Sequence, residues 1–236
     1  MAEIDAAGRT TREVNSAIRK CISESCNEVI VHNPGARHNL AVAVLDDVHI
    51  RFVGSVGYYC GGLIDKASIE IEGSAGWGLA ESMLSGEVRV HGTAGSGAAA
   101  AIRGGTVVVH GDAAARLGVS MKGGTVIVGG DCGYMAGFMA QKGTIIVCGN
   151  AGDAFADSMY ATVCYVGGEI ASLGTDAIIA GMDSCETERL GKILTTYLPT
   201  GAQNTIPAIA NFKKVVAGRK LWNFDKRELR IWQEAL

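Results

Sequence analysis

His91 and His110 stand 19 residues apart, and the same offset separates Asp112, Asp131 and Asn150. A histidine pair could bind a metal or supply a base, because imidazole changes charge near neutrality and is a common metal ligand. The histidine column continues as Gly129 and Cys148, however, and spacing fixes no carboxylate beside it. A ladder of stacked side chains at a turn is therefore expected. The Asp112, Asp131, Asn150 series has one acidic residue per repeat at most, too sparse for the calcium-binding nonapeptide pattern. Local Asx capping of turns is expected there instead. His32 and His38 flank Pro34-Gly35 and read as loop residues or interface contacts.

Gly73-x-x-Gly76-x-Gly78 has the texture of a phosphate loop, but such a loop occurs once, between a strand and a helix, with a lysine or downstream acid completing it. Here the string recurs along the chain without that partner. Seven cysteines include no C-x-x-C pair. They lack the close pairs that zinc or iron–sulfur ligation wants and read as buried free thiols of a reducing compartment. Spacing reveals no Ser/His/Asp set and no paired carboxylates. No catalytic, cofactor-binding or metal-ligating residue is assigned on this chain.

What must hold these side chains is a repeat. Gly54, Gly73, Gly92, Gly111, Gly130, Gly149 and Gly168 recur every 19 residues, and Gly86, Gly105, Gly124 and Gly143 form a second turn column. Between the columns run short β-branched segments such as Thr106–His110 and Thr125–Val128, bounded by glycine, which is the strand signature. Nineteen residues are too few for a helical repeat, are no multiple of the acyltransferase hexapeptide, and suit one coil of a parallel β-solenoid whose tight turns use glycine. The fold expected is all-β: a single-stranded right-handed parallel β-helix with 19-residue coils and short α-helical caps at both ends.

Alternation along each strand points residues 69, 88, 107, 126 and 145 inward, together with 71, 90, 109, 128, 147 and 166. The position between them points outward. It reads Glu70, Arg89, Val108, Ile127, Ile146, Tyr165: two solvent-like residues, then four apolar or aromatic ones. An apolar stripe over four coils predicts a cover, either the chain's own C-terminal segment or another subunit. Solenoid ends also need caps. Residues 10–25 read as an amphipathic helix with a Thr10/Glu13 capping box, followed by strands Glu28–His32 and Leu40–Leu45 about the turn Asn33–Ala36. Cys185–Tyr197 reads as a second helix, and the tail holds Trp222, Phe224 and Trp232, aromatics suited to docking. Three parts follow: a cap over 1–50, about seven coils over 51–183, and a helix with a docking tail over 184–236.

A net charge of −3 without a basic run argues against nucleic acid and anionic membranes as partners. The longest uncharged stretch, Ile193–Phe212, contains two prolines and four threonines and is no membrane span. The first residues lack signal-peptide character, so a cytoplasmic location is expected.

The segment Phe52-Val-Gly-Ser-Val-Gly-Tyr-Tyr-Cys-Gly-Gly-Leu-Ile64, with Ile69-Glu-Ile-Glu-Gly-Ser-Ala-Gly-Trp-Gly-Leu-Ala-Glu-Ser-Met-Leu-Ser-Gly86, resembles the C-terminal GXGXG β-helix domain of glutamate synthase. The resemblance covers roughly residues 50–180 and is mostly structural. The Val31–Asn39 lead-in and the tryptophan-rich tail look most like the small GXGXG subunit of N-methylglutamate synthase (methylamine–glutamate N-methyltransferase). The resemblance implies a non-catalytic scaffold in a hetero-oligomer with an amidotransferase-like subunit and a synthase subunit carrying FMN and an iron–sulfur cluster. The whole would convert glutamate and methylamine into N-methylglutamate and ammonia. Ala2 follows Met1 where the amidotransferase would have its nucleophilic cysteine, and the clustered cysteines of the synthase are lacking. An accessory β-helix subunit of another oxidoreductase, such as formylmethanofuran dehydrogenase, or of glutamate synthase itself is the alternative.

Overall fold

Residues 1–198 and 206–219 are described by the structure, a computed structural model. The β-branched segments form β1 (Ala2–Asp5), β2 (Glu28–His32), β3 (His49–Val53), β4 (Ser68–Ile71), β5 (Glu87–Val90), β6 (Thr106–Val109), β7 (Thr125–Val128), β8 (Lys142–Val147) and β9 (Ala161–Val166). They pair in parallel in that order. From β3 to β9 every rung joins residues 19 apart, as in His49–Ser68, Ser68–Glu87 and Ile127–Ile146. At ~4.8 Å per step, the seven steps from β2 to β9 give a parallel β-solenoid about 34 Å long. The sheet closes with β10 (Ala177–Ala180) and β11 (Lys213–Ala217), which pair antiparallel: β11 lies between β9 and β10.

The inward columns behave as their alternation requires. Ile69, Val88, Val107, Val126 and Ile145 are buried, as are Ile71, Val90, Val109, Val128, Val147 and Val166, all in one continuous core. Helix α1 (Thr11–Ser23) starts with the Thr10/Glu13 capping box and buries Val14 and Ile18. It is inserted between β1 and β2, so Ala2 pairs with Val29 across a longer loop. The ladder therefore runs through the first 50 residues, which read from sequence as a cap. Helix α2 (Ser184–Tyr197) carries a second capping box, Asp183 with Glu186. It lies along the side of the rod rather than across its end. Trp222, Phe224 and Trp232 lie outside the described residues.

Leu40–Leu45 is not a strand. Asn39, Ala41 and Ala43 have φ of 57°, 51° and 54°, and this left-handed alternation recurs coil after coil, as at Gly78, Ala80 and Ser82 (67°, 57° and 57°). Successive left-handed residues bond to opposite neighbours: Gly78 N–H donates to Ser96 O and Ser82 N–H to Ala100 O, one coil up, while Ala80 N–H donates to Cys60 O, one coil down. Alternate burial therefore mimics a strand, but the wall is built differently. A non-glycine residue pays about 1–2 kcal/mol to be left-handed, which the coil-to-coil bonds offset.

The main glycine column also has a different cause from the one expected. Apart from Gly54 its members do not have positive φ. What they lack room for is a side chain: a methyl group on Gly130 would strike Asp112 Oδ1. That oxygen is itself engaged, accepting from Asp131 N–H at 2.8 Å. Asp131 in turn accepts from Asn150 N–H and Asn150 from Glu169 N–H, and Ser55 and Ser74 do the same lower down. These residues are not Asx caps of their own turns. Each bonds the coil above, and the glycine leaves space for it. Gly130→Ala should cost about 1–3 kcal/mol by overpacking, and adding Asp112→Ala should recover part of it. Urea unfolding of the two single variants and the double checks this; strictly additive losses would contradict the shared-space account.

Candidate functional site

The outward column of β4–β9 divides into two halves. Val108, Ile127 and Ile146 are fully buried and Tyr165 is 2 % exposed. They form a second apolar cluster, outside the solenoid, with Leu190, Leu194, Leu198, Cys148 and Phe212. The chain thus covers its own stripe. Leu190, Leu194 and Leu198 recur at one-turn spacing, so a single face of α2 meets the sheet. The lengths agree: 14 residues make a helix of about 21 Å, and the four coil steps from Tyr165 to Arg89 span about 19 Å.

Both ends of α2 are latched by charged groups. At its start Glu186 accepts from Lys214 and lies 3.5 Å from the Tyr165 hydroxyl, which is also within reach of Arg189. The Lys214 hydrogen bond, helped by the Asp183 backbone, holds Glu186 below the usual carboxylate range. At its end Arg89 Nη1 donates to Tyr197 O at 2.9 Å and the guanidinium lies over the Tyr197 ring. A helix leaves its last carbonyls without intrahelical partners, and a cation there also meets the negative end of the dipole. Arg89 is therefore a docking residue, not the solvent-facing one its position in the column suggests. The signal available in sequence was its place: it is the first residue below the apolar run.

Below Arg89 the outer face is polar. His91 and Glu70 are hydrogen-bonded at 2.8 Å, with His49 and Arg51 at 3.8 and 4.0 Å from the same carboxylate and Arg51 also paired with Glu72. The His91 hydrogen bond, ahead of the surrounding charges, keeps Glu70 below its ordinary range. A carboxylate so held is a weak base at neutral pH. His91 and His110 stack, centroids 5.0 Å apart and planes 8° off parallel. Burial first, then the charges of His91 and Arg89, lowers the His110 pKa. His91 and His110 are thus stacked as expected of a ladder, with a carboxylate partner for His91 that a 19-residue offset does not reveal because Glu70 is 21 residues away.

The remaining candidates disperse. His32 closes β2 and lies 3.5 Å from Glu3. The seven cysteines are free; Cys60, Cys132, Cys148 and Cys164 are buried, whereas Cys185 is exposed. Burial pushes Cys132 and Cys148 up to about 12, which keeps them protonated and poor as ligands. Among the described residues, no three His, Cys, Asp or Glu side chains converge as a metal site. No described helix is long and apolar enough to cross a membrane.

His38 instead begins a feature that spacing alone did not single out. His38, Tyr58 and Trp77 stack in consecutive coils, centroids 4.3 and 5.2 Å apart, and His38 Nδ1 accepts from Tyr58 N–H. Tyr58, Tyr59, Leu63 and Trp77 are nonetheless 39, 45, 50 and 55 % exposed. Beside them runs a groove of about 300 Å³ lined by Tyr59, Trp77, Gly78, Gly97, Glu81 and Arg116. This ledge lies away from the sheet face that α2 covers.

Two outcomes test the outer face. Ile127→Glu would bury an unpaired carboxylate under α2; limited proteolysis should then cut within 184–198 while the solenoid core stays folded, and an unchanged digest would contradict the docking. For His110, the unfolded chain takes up a proton as pH falls below its ordinary 6.5 while the folded chain resists. Stability should therefore drop from about pH 8 to about pH 5, the range over which histidine changes charge. His110→Gln should flatten that slope in thermal melts.

No protein-family model matches the chain, and no curated protein sequence matches it.

Proposed function

We propose that this chain is a non-catalytic scaffold subunit of a glutamate-synthase-like complex of the N-methylglutamate synthase type. In this reading it holds an amidotransferase-like subunit and an FMN- and iron–sulfur-bearing synthase subunit in register, so that an amine or ammonia passes between them without loss. The resemblance over residues 50–180 suggests the complex. The observation that carries the scaffold role is the aromatic ledge of Tyr58, Tyr59 and Trp77, half-exposed on a rigid coil wall. Aromatic side chains are enriched at the centres of protein interfaces, where they bury much area at little entropic cost. The outer stripe, by contrast, is occupied by α2 and offers a partner no apolar surface.

Co-expression with the two catalytic subunits tests the proposal. The three chains should co-purify, and methylamine-dependent formation of N-methylglutamate should require this chain. A flavin spectrum or turnover from this chain alone, or full activity of the other two without it, would overturn the scaffold role. Within the complex, Trp77→Ala should leave the melting temperature unchanged and weaken retention about 30-fold, as expected for an aromatic hot spot worth about 2 kcal/mol. Wild-type retention of a Trp77→Ala, Tyr59→Ala double variant would remove the ledge from the interface.

A further inference from the structure

Helix α1 ends in a turn that sets two thiols side by side. Its C-cap is Glu24, and the next residue, Ser25, is left-handed with φ of 64°. Ser25 N–H donates to Ile22 O at 2.9 Å, and Cys26 N–H donates to Cys21 O at 3.0 Å. A left-handed residue just past the cap, with these two bonds, is the Schellman ending. In that ending the side chain two residues beyond the cap meets the one three residues before it, usually as an apolar contact. Here those two positions are Cys26 and Cys21.

The backbone holds the pair from both sides. On the helix, Val14 and Ile18 are buried, and Cys21 and Ile22 pack against the core. After the turn, Asn27 O accepts from His49 N–H at 2.9 Å, and β2 begins at Glu28. The Cys26–Cys21 hydrogen bond limits the separation of the two Cα atoms to about 6.9 Å even if every intervening bond lay on one line. A disulfide needs ~4.4–6.8 Å, so the backbone does not have to move far, if at all, to accept one. Both thiols are free and half-buried, unlike Cys60, Cys132, Cys148 and Cys164, which are buried.

We propose that Cys21 and Cys26 are a redox-active dithiol, which a low-molecular-weight disulfide closes to an intramolecular disulfide. The thiolate is the attacking form. Burial, ahead of the charges of Cys26 and Glu24, raises the Cys21 thiol above its ordinary range, so Cys26 attacks first and Cys21 resolves. The Cys26 thiolate bonds to one sulfur of the external disulfide, whose S–S bond breaks and releases the first thiolate. Cys21 then gives up its proton, attacks Cys26 Sγ in the mixed disulfide and expels the second thiolate. The external disulfide is reduced to two thiols, the pair is oxidised, and the two protons lost by the pair end on the released thiols. Cys21 is already in place, which favours ring closure over a lasting mixed disulfide. The bond would fasten α1 to the start of β2. Asn15 and Arg19 of this helix hold the coil wall at Asn39, Ala41 and Val42, so redox state sets how firmly α1 is anchored there.

The test uses the full chain with Cys185→Ser, since Cys185 is an exposed thiol, and oxidised glutathione as the probe. Intact mass should fall by two hydrogens, with no glutathione retained. Adding Cys21→Ser should instead leave one glutathione on Cys26. Glutathione retained by the chain that has both thiols, or two unreacted thiols, overturns the proposal whether or not the scaffold role holds. A second measurement changes neither thiol. Exchange against mixtures of reduced and oxidised glutathione gives the effective concentration of the pair, which should be at least ~10-fold higher in the folded chain than in urea, or about 30 mV. By linkage the oxidised chain must gain the same factor in stability, so its melting temperature should rise and dithiothreitol should reverse the rise. Equal effective concentrations in the two states, or a lower melt on oxidation, would show that the turn does not present the pair.

Discussion

Everything in this molecule depends on hydrogen bonds that run along the rod axis from each coil to the next. A flat coil of 19 residues has almost no internal partners for its backbone groups, and unpaired buried groups are costly. All walls solve this with the same offset and different means. The sheet uses parallel strands. The wall behind it uses left-handed residues that bond alternately up and down. One corner adds side-chain oxygens, those of Ser55 and Ser74 and then of Asp112, Asp131 and Asn150, each reaching the backbone N–H of the next coil. The glycine column follows from this constraint, because it makes space for the oxygen ladder, whereas the left-handed positions accept Ala, Ser, Tyr, Leu and Arg alike.

Interior and edges then present separate problems. The interior fills with β-branched side chains in vertical columns. The outer sheet face, once it turns apolar at Val108, needs a roof, and α2 supplies one of matching length. Its fixings are polar and sit at both ends, where a helix has free backbone groups and a dipole to satisfy. Arg89 marks the border: beneath it the face is a lattice of His49, Arg51, Glu70, Glu72 and His91, stable in water without a cover.

Much of this was legible before any coordinates. The period, the inward columns, the Thr10/Glu13 capping box and the need for a cover over Val108, Ile127, Ile146 and Tyr165 follow from spacing and polarity. Three things were hidden, each for a physical reason. Alternating left-handed backbone buries every other residue just as a strand does, so Leu40–Leu45 looked like one. Glycine is demanded equally by positive φ and by close approach, and only the position of Asp112 beside Gly130 separates the two. The ledge of His38, Tyr58 and Trp77 escaped notice because its first step is 20 residues, one off the period, and because aromatic residues in a repeat read as core.

Within the solenoid each coil bonds only to the coils directly above and below it, and α2 alone spans several of them, so the rod has a length that changes only in whole units. Adding or losing one 19-residue coil would move the two ends by about 4.8 Å and leave both terminal surfaces intact. The spacing between anything bound to the aromatic ledge and anything at the β10 end is therefore quantised. Evolution could adjust it as one adjusts a ruler by counting marks, with α2 lengthened to match wherever the new coil falls beneath it.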